Sequence, residues 1–165
     1  MILSIAVLAF TTAQRLGELI LSNRNTGRLK RRGGYEVGAR HYPLLIAVHV
    51  SWLIGLWLLG WNRPVNLAWL AVFAVLQAAR LWIVATLGER WTTRIIVVPG
   101  EPLVRRGPYR FLRHPNYMVV AGEVMVLPLA FALAGYGAVF SVLNLGMLIV
   151  RVRAEDAALK ATAPP

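Results

Sequence analysis

The stretch Arg106-Gly107-Pro108-Tyr109-Arg110-Phe111-Leu112-Arg113-His114-Pro115-Asn116-Tyr117 crowds cations, aromatic rings and hydrogen-bonding groups together, and it runs straight into an apolar segment that begins near Met118. Polar groups pressed against a membrane span are costly and therefore need a reason. The chemistry these residue types suit is the binding of a charged cofactor at the cytosolic surface of an integral membrane enzyme. A second polar group, Arg151 with Glu155 and Asp156, follows the last apolar block. Arg151 and Glu155 are spaced to share one helical face. That spacing allows an intrahelical ion pair.

Such a site has to be held by spans. The 165 residues are read as one domain. Apolar residues make up 58% of the chain and come in blocks rather than in alternation. Five blocks qualify as spans: Ile2–Leu21, Tyr42–Trp61, Asn66–Leu87, Tyr117–Ala134 and Tyr136–Val152. A helix needs about 20 apolar residues to cross a bilayer, with a lower limit near 17. The last two blocks are short and share only Gly135, so they read as a tight helical hairpin. The fold class expected is an all-α integral membrane protein with five transmembrane helices. Its cofactor pocket is built from the connector between the third and fourth spans together with the C-terminal helix. The N-terminus lacks a basic region and a small-residue cleavage site, so the first block reads as a retained helix and not a removed signal peptide.

Charge sets the expected orientation. Of eighteen cations, six lie between the first two blocks (Arg24, Arg28, Lys30, Arg31, Arg32, Arg40) and six between the third and fourth (Arg90, Arg94, Arg105, Arg106, Arg110, Arg113). Arg151, Arg153 and Lys160 close the chain, while the loop between blocks two and three has only Arg63. With five spans, these fifteen fall on one side. The positive-inside rule makes that side cytoplasmic and the N-terminus external, in a bacterial inner (plasma) membrane. Part of this charge serves orientation and contact with anionic membrane lipids. Cations that flank spans without a nucleic-acid-binding motif argue against a nucleic-acid partner. No feature specifies an oligomeric state.

Two connectors stand out. Asn23 to Arg40 is polar, with a short amphipathic helix expected around Thr26–Arg32 and ended by Gly33-Gly34. In Gly88 to Asn116, the β-branched run Thr92–Val98 suits a strand. Pro99-Gly100-Glu101-Pro102 is a turn, and Pro115 sits where a helix can begin. A connector this long inside a compact membrane protein is usually functional.

Polar groups inside the spans share one depth: Gln14, Arg15 and Glu18 in the first, Gln77 and Arg80 in the third, Glu123 in the fourth. Arg15 and Glu18 are spaced to pair. The set suggests a polar cavity open to the cytosol, against the plainer reading of interhelical hydrogen bonds and snorkelling. His41 and His49 read as interfacial or packing residues. With His114 they are the only histidines, cysteine is absent, and no metal site results. Neither a Gly-x-Gly-x-x-Gly pattern nor a P-loop is present.

Glu101-Pro102-Leu103-Val104, Gly107-Pro108-Tyr109, Arg113-His114-Pro115-Asn116-Tyr117, then Arg151 and Glu155-Asp156 together resemble the isoprenylcysteine carboxyl methyltransferase family of integral membrane enzymes that use S-adenosyl-L-methionine. The resemblance covers about Glu89 to Leu159. In the N-terminal half, Gln14-Arg15 to Glu18-Leu19, Arg24-Asn25, Glu36-x-Gly38 and His41-Tyr42-Pro43 are similar to small bacterial homologues associated with type III polyketide synthases. Those resemble O-methyltransferases of alkylpyrones or alkylresorcinol-type lipids. The resemblance implies that Glu101, Pro102, Leu103 and Val104 contact the cofactor. It implies that Tyr109, His114, Pro115, Asn116 and Tyr117 line its adenosyl and methionine portions, that Glu155 binds a polar part of it, and that Arg151 faces the acceptor. Arg94 stands where the family often has Gln, and Asp156 where it usually has a second Glu.

Methyl transfer from an activated sulfonium needs alignment and desolvation above all. A carboxylate acceptor needs only orientation, which Arg151 can supply by a bidentate contact. A phenol or enol benefits from a base, for which Glu123 is the candidate. Arg113, Arg151 and Glu123 are therefore the residues assigned to the reaction, with a lipophilic acceptor drawn from the bilayer. The alternatives are an NADPH-dependent membrane reductase of the sterol-reductase type, and a non-enzymatic small transporter or lipid-binding protein. A transport pathway would place polar residues through the full membrane depth, whereas here the outer halves of the spans are apolar.

Overall fold

The computed structural model describes residues 1–162. The first helix, α1 (Ile2–Arg31), runs through the expected break at Leu21 and absorbs the separate short helix expected around Thr26–Arg32. The reason is electrostatic as well as conformational. Arg28, Lys30 and Arg31 occupy its last turn, where cations complement the negative end of the helix dipole. The helix stops at the glycine pair: Gly33 takes φ +85°, and the Gly34 N–H donates to the Leu29 carbonyl at 2.9 Å. A Cβ on Gly34 would lie 2.7 Å from that carbonyl oxygen.

A short strand, β1 (Tyr35–Val37), follows. Then come α2 (Tyr42–Gly60), with Pro43 in its first turn, and α3 (Leu67–Leu87). Asn66 caps α3, its Oδ1 accepting from the Ala68 and Trp69 N–H groups at 3.0 and 3.2 Å. The long connector contains β2 (Ile95–Val97) and single 3-10 turns at Gly88–Arg90 and Gly107–Arg110. The strand expected at Thr92–Val98 is thus present but shorter. It pairs antiparallel with β1 in the register Tyr35↔Val97, Glu36↔Ile96, Val37↔Ile95. The chain ends with α4 (Pro115–Ala130), which does begin at its proline, and α5 (Ala134–Thr162).

Hydrogen bonds sort the ends of these helices. The Ser4 hydroxyl donates to the Arg63 carbonyl at 2.6 Å, and the Asn66 N–H donates to the Ala130 carbonyl at 2.8 Å. The start of α1, the α2–α3 turn and the α4–α5 turn therefore lie together. The opposite end gathers the two-stranded ribbon, the long connector and the tail of α5. Between them packs an apolar core of Leu8, Trp52, Leu56, Phe73, Leu127 and Phe131. The Trp52 indole N–H donates to the Val124 carbonyl at 3.2 Å. Leu58, Val75, Leu81 and Val142 point outward.

This is the architecture of an all-α membrane protein. Four helices, α1, α2, α3 and α5, are long and apolar enough to cross a bilayer. The expected span Tyr117–Ala134 is instead the 16-residue α4, shorter than the lower limit of about 17 residues. Half of α4 is buried, Glu123, Val124 and Leu127 included, so its neighbours and not lipid solvate much of it.

The hairpin between α4 and α5 turns earlier than expected. The Leu133 N–H donates to the Pro128 carbonyl at 2.9 Å and the Ala132 N–H to the Leu129 carbonyl at 3.0 Å. Ala132 takes φ +56°, the only positive φ outside glycine among the described residues. This is the bonding pattern of a Schellman cap with alanine at the left-handed position. Gly135 lies inside the first turn of α5, and a Cβ there would meet nothing within 4 Å. Ala132→Gly is therefore expected to stabilise the fold by about 0.5–1 kcal/mol, the left-handed strain relieved less the added chain entropy. Gly135→Ala is expected to leave stability unchanged or raise it. Thermal unfolding in detergent checks both, and a loss of stability in Gly135→Ala would return the turn to Gly135.

Candidate active site

The expected ion pair between Arg15 and Glu18 is present at 3.0 Å and belongs to a larger cluster. Glu123, with no exposed surface, sits at its centre. Its oxygens accept from Arg15 Nη2 at 2.6 Å, Arg80 Nε at 2.7 Å and Gln77 Nε2 at 3.0 Å, and also from Arg80 Nη2. Arg80 reaches Glu18 as well, at 3.2 Å. Two carboxylates and two guanidinium groups thus neutralise one another across α1, α3 and α4. Burial of charge demands such pairing.

Above this cluster lies an inner cavity of about 190 Å³. Arg15, Glu18, Arg80, Asn116, Tyr117 and Arg151 supply polar groups to a lining that is otherwise mostly apolar. Leu16 of α1 and Val50 of α2 also line it and are exposed on the outer surface of the bundle. The cavity consequently opens sideways between these two helices.

The C-terminal wall is built by α4 and α5. Tyr117 donates its hydroxyl to Glu155 Oε2 at 2.7 Å. His114 stacks on the Tyr117 ring, with centroids 5.5 Å apart and planes 17° from parallel. Its Nδ1 is 3.6 Å from Glu155, and its Nε2 lies 3.2 Å from Asp156 Oδ1. Arg151 does not form an intrahelical pair with Glu155. It donates from Nη2 to the Thr93 carbonyl at 2.8 Å, and its guanidinium lies 5.7 Å from the centre of the Tyr117 ring.

Tyr109 packs on the cluster of Ile83, Trp91 and Val119. Burial, and then the negative charge of Glu155, push its phenol well above the ordinary range, so it stays neutral. Pro115 is buried at the start of α4. Glu101 anchors the connector through ion pairs with Arg90, at 2.7 Å, and with Arg32. Pro102 accepts from Arg90 Nη1 through its carbonyl at 2.6 Å. Pro102, Leu103 and Val104 line a second, outer cavity of about 470 Å³ together with Arg105 and Arg106. Leu87, on its wall, packs in the same cluster as Trp91, which lines the inner cavity.

The residues assigned from sequence therefore fall into groups. Asn116, Tyr117 and Arg151 line the inner cavity, and His114 and Glu155 join them through Tyr117. Pro102, Leu103 and Val104 belong to the outer cavity. Arg113 is exposed, and neither Arg113 nor Glu123 lines either cavity. Glu123 holds the guanidinium groups of Arg15 and Arg80 in place.

Sequence reasoning missed Thr93. Its hydroxyl bonds Ser22 of α1 at 2.8 Å and Tyr42 of α2 at 2.9 Å, while its carbonyl holds Arg151 of α5. Asn25 stands out in the sequence only as part of Arg24-Asn25, without a role. It donates to the Gly88 and Trp91 carbonyls at 3.1 and 2.8 Å and pins the connector to α1. Arg94 lies over the Tyr42 ring, 4.0 Å from its centre, and pairs with Glu36 at 2.6 Å. It closes the ribbon. His49, read from sequence as a packing residue, lines the inner cavity.

The family model for the isoprenylcysteine carboxyl methyltransferase (ICMT) family matches residues 69–161. The chain is 37% identical over 159 residues to the uncharacterized protein YpbQ of Bacillus subtilis (strain 168), covering 93% of this chain and 95% of that one. It is 28% identical over 155 residues to an uncharacterized protein of Haemophilus influenzae, covering 89% of each. No solved structure matches.

Replacement of Glu123 by Gln should cost on the order of 3 kcal/mol, because it leaves buried guanidinium charge uncompensated. Thermal unfolding of the purified variant reads this loss. An unchanged melting temperature with turnover abolished would instead make Glu123 the base.

Proposed function

Because the chain belongs to the isoprenylcysteine carboxyl methyltransferase family, a family of membrane methyltransferases, we propose that it methylates a lipophilic acceptor with S-adenosyl-L-methionine at the cytosolic membrane face. The acceptor is a carboxylate or hydroxyl of a prenyl or polyketide-type lipid. One observation carries this reading: the wall formed by Tyr117, Arg151 and Glu155 borders a cavity that opens toward lipid at Leu16 and Val50.

The residues present fit the cofactor. Asn116 Oδ1 and Trp91 Nε1 are buried without a partner, and both residues line the inner cavity. An orphan acceptor and an orphan donor of this kind are costly unless a ligand satisfies them. Glu155 and Asp156 supply the negative charge that an ammonium or sulfonium cation needs. The stacked rings of His114 and Tyr117 offer a face to an adenine or a cation. Glu101 to Val104 extend this surface through the outer cavity. When bound, the cofactor supplies a methyl group already activated on sulfur.

The protein's share is then positional. Arg151, held by the Thr93 carbonyl, orients the acceptor's oxygen. The apolar lining takes the acceptor's hydrocarbon and keeps water out of the reacting zone. The cation-rich connectors and C-terminus put the cofactor side in the cytosol and the N-terminus outside. In this reading α4 is a fifth crossing, short because it is shielded inside the bundle. The family match supports methyl transfer over an NADPH-dependent reductase.

Purified protein incubated with methyl-labelled S-adenosylmethionine and a bacterial lipid extract should move label into the organic phase. Glu155→Gln should lower kcat/KM for the methyl donor by about 10-fold or more, the worth of one hydrogen bond to a charged group. Absence of label in any lipid, or equal rates in the variant, would count against the assignment.

A further inference from the structure

His49 lies on α2, in the part of the chain that precedes the family match at residues 69–161. Its Nδ1 is 2.9 Å from the Leu45 carbonyl oxygen. A carbonyl only accepts, so Nδ1 must carry the proton. In the neutral ring the other nitrogen, Nε2, is then a bare acceptor. His49 lines the inner cavity, and its one side-chain hydrogen bond among the described residues is that of Nδ1.

The charged and titratable groups lining the same cavity are Arg15 and Glu18 of α1, Arg80 of α3, Tyr117 of α4 and Arg151 of α5. Arg15 and Arg80 are balanced by Glu18 and Glu123. Tyr117 has given its hydroxyl proton to the hydrogen bond with Glu155. Among the described residues, Arg151 alone of these cations is bonded to a neutral carbonyl and to no carboxylate. The cavity thus offers one proton acceptor, one uncompensated cation and an apolar lining.

This combination discriminates between acceptors. A carboxylate would satisfy Arg151 but would face the Nε2 lone pair with one of its own. A hydroxyl donates to Nε2, and the negative charge that develops on its oxygen is met by Arg151. Within the methyltransferase reading, whose acceptors include the hydroxyl of a polyketide-type lipid, we propose that His49 is the group that takes the proton from that hydroxyl. The O–H bond breaks and its proton moves to Nε2. The pair left on oxygen forms the new bond to the methyl carbon, and the carbon–sulfur pair remains on sulfur as a thioether. The imidazolium proton then passes to water. This inference rests on the methyltransferase reading, but His49 can be tested apart from it.

The test uses full-length protein in detergent, a long-chain 4-alkyl-2-nitrophenol and a fatty acid of matched length. Imidazole ¹⁵N spectra of the wild type assign His49 by the loss of one signal in His49→Gln, since the chain has three histidines. The unliganded protein should show His49 protonated on Nδ1 alone, and bound nitrophenol should convert it to imidazolium. The absorbance of bound nitrophenol should report phenolate in the wild type and neutral phenol in His49→Gln. The same variant should lose about 100-fold in kcat toward hydroxyl acceptors, while S-adenosylhomocysteine binding is retained. An Nε2-protonated ring in the free wild type, or equal phenolate in wild type and variant, would overturn the proposal. Tight binding of the fatty acid with no response to the nitrophenol would also overturn it. If the nitrophenol results hold but S-adenosylhomocysteine does not bind, the methyltransferase reading fails and the hydroxyl site stands.

Discussion

A carboxylate with no exposed surface, Glu123, has to be neutralised inside an apolar bundle, and that demand shapes the rest of the molecule. In hydrocarbon the penalty for an unpaired charge is several kcal/mol. Glu123 meets it by drawing Arg15 from α1 and Arg80 from α3 onto one carboxyl group. The three helices are thereby fixed in relative height. Glu18 then compensates the second positive charge. The cluster ends in a polar floor, and above that floor the helices cannot close with apolar packing alone. The inner cavity is the consequence.

The connector is tied to this frame by side-chain contacts that together reach α1, α2 and α5. Thr93 links α1, α2 and α5 through one hydroxyl and one carbonyl. Asn25 holds the stretch before it, and the β1–β2 pairing holds the stretch after. Glu101 fastens the turn beyond through Arg32 and Arg90. Arg151 therefore takes its position from the connector and not from its own helix. A shift of the connector would move both cavities together, because Trp91 and Leu87 pack in one cluster.

What was legible in the sequence follows from how loudly each signal breaks a local rule. Charged residues inside apolar helices are conspicuous, so Arg15, Glu18, Arg80 and Glu123 were found and placed at one depth. Bonding between helices is one of the two readings their common depth allows, but which cation meets which carboxylate is a tertiary property. Glu123 reads from sequence as a lone carboxylate and so as a candidate base, whereas its partners Arg15, Gln77 and Arg80 come from two other helices and are visible only in the fold. The polar end of α1 reads from sequence as a connector with a separate short helix around Thr26–Arg32, because hydropathy falls after Leu21, yet a helix leaving the membrane needs no apolar face and continues unbroken. The hairpin turn falls at Gly135 in the sequence because that residue alone separates the last two apolar blocks, and the left-handed position is taken by Ala132 instead. Thr93 gave no signal beyond strand propensity, because its role depends on three distant residues. The motif from His114 to Tyr117 was legible as a unit, and α4 and α5 do bring it to Glu155.

The central claim is that the end of α5 and the start of α4 hold the methyl donor beside a lipid-facing cavity. Calorimetric titration of the purified protein with S-adenosylhomocysteine, in parallel with NADPH, tests it most directly. Saturable heat with S-adenosylhomocysteine alone, weakened when Asn116 is replaced by Ala, is the expected result. Heat with NADPH alone, or none with either, would contradict the claim.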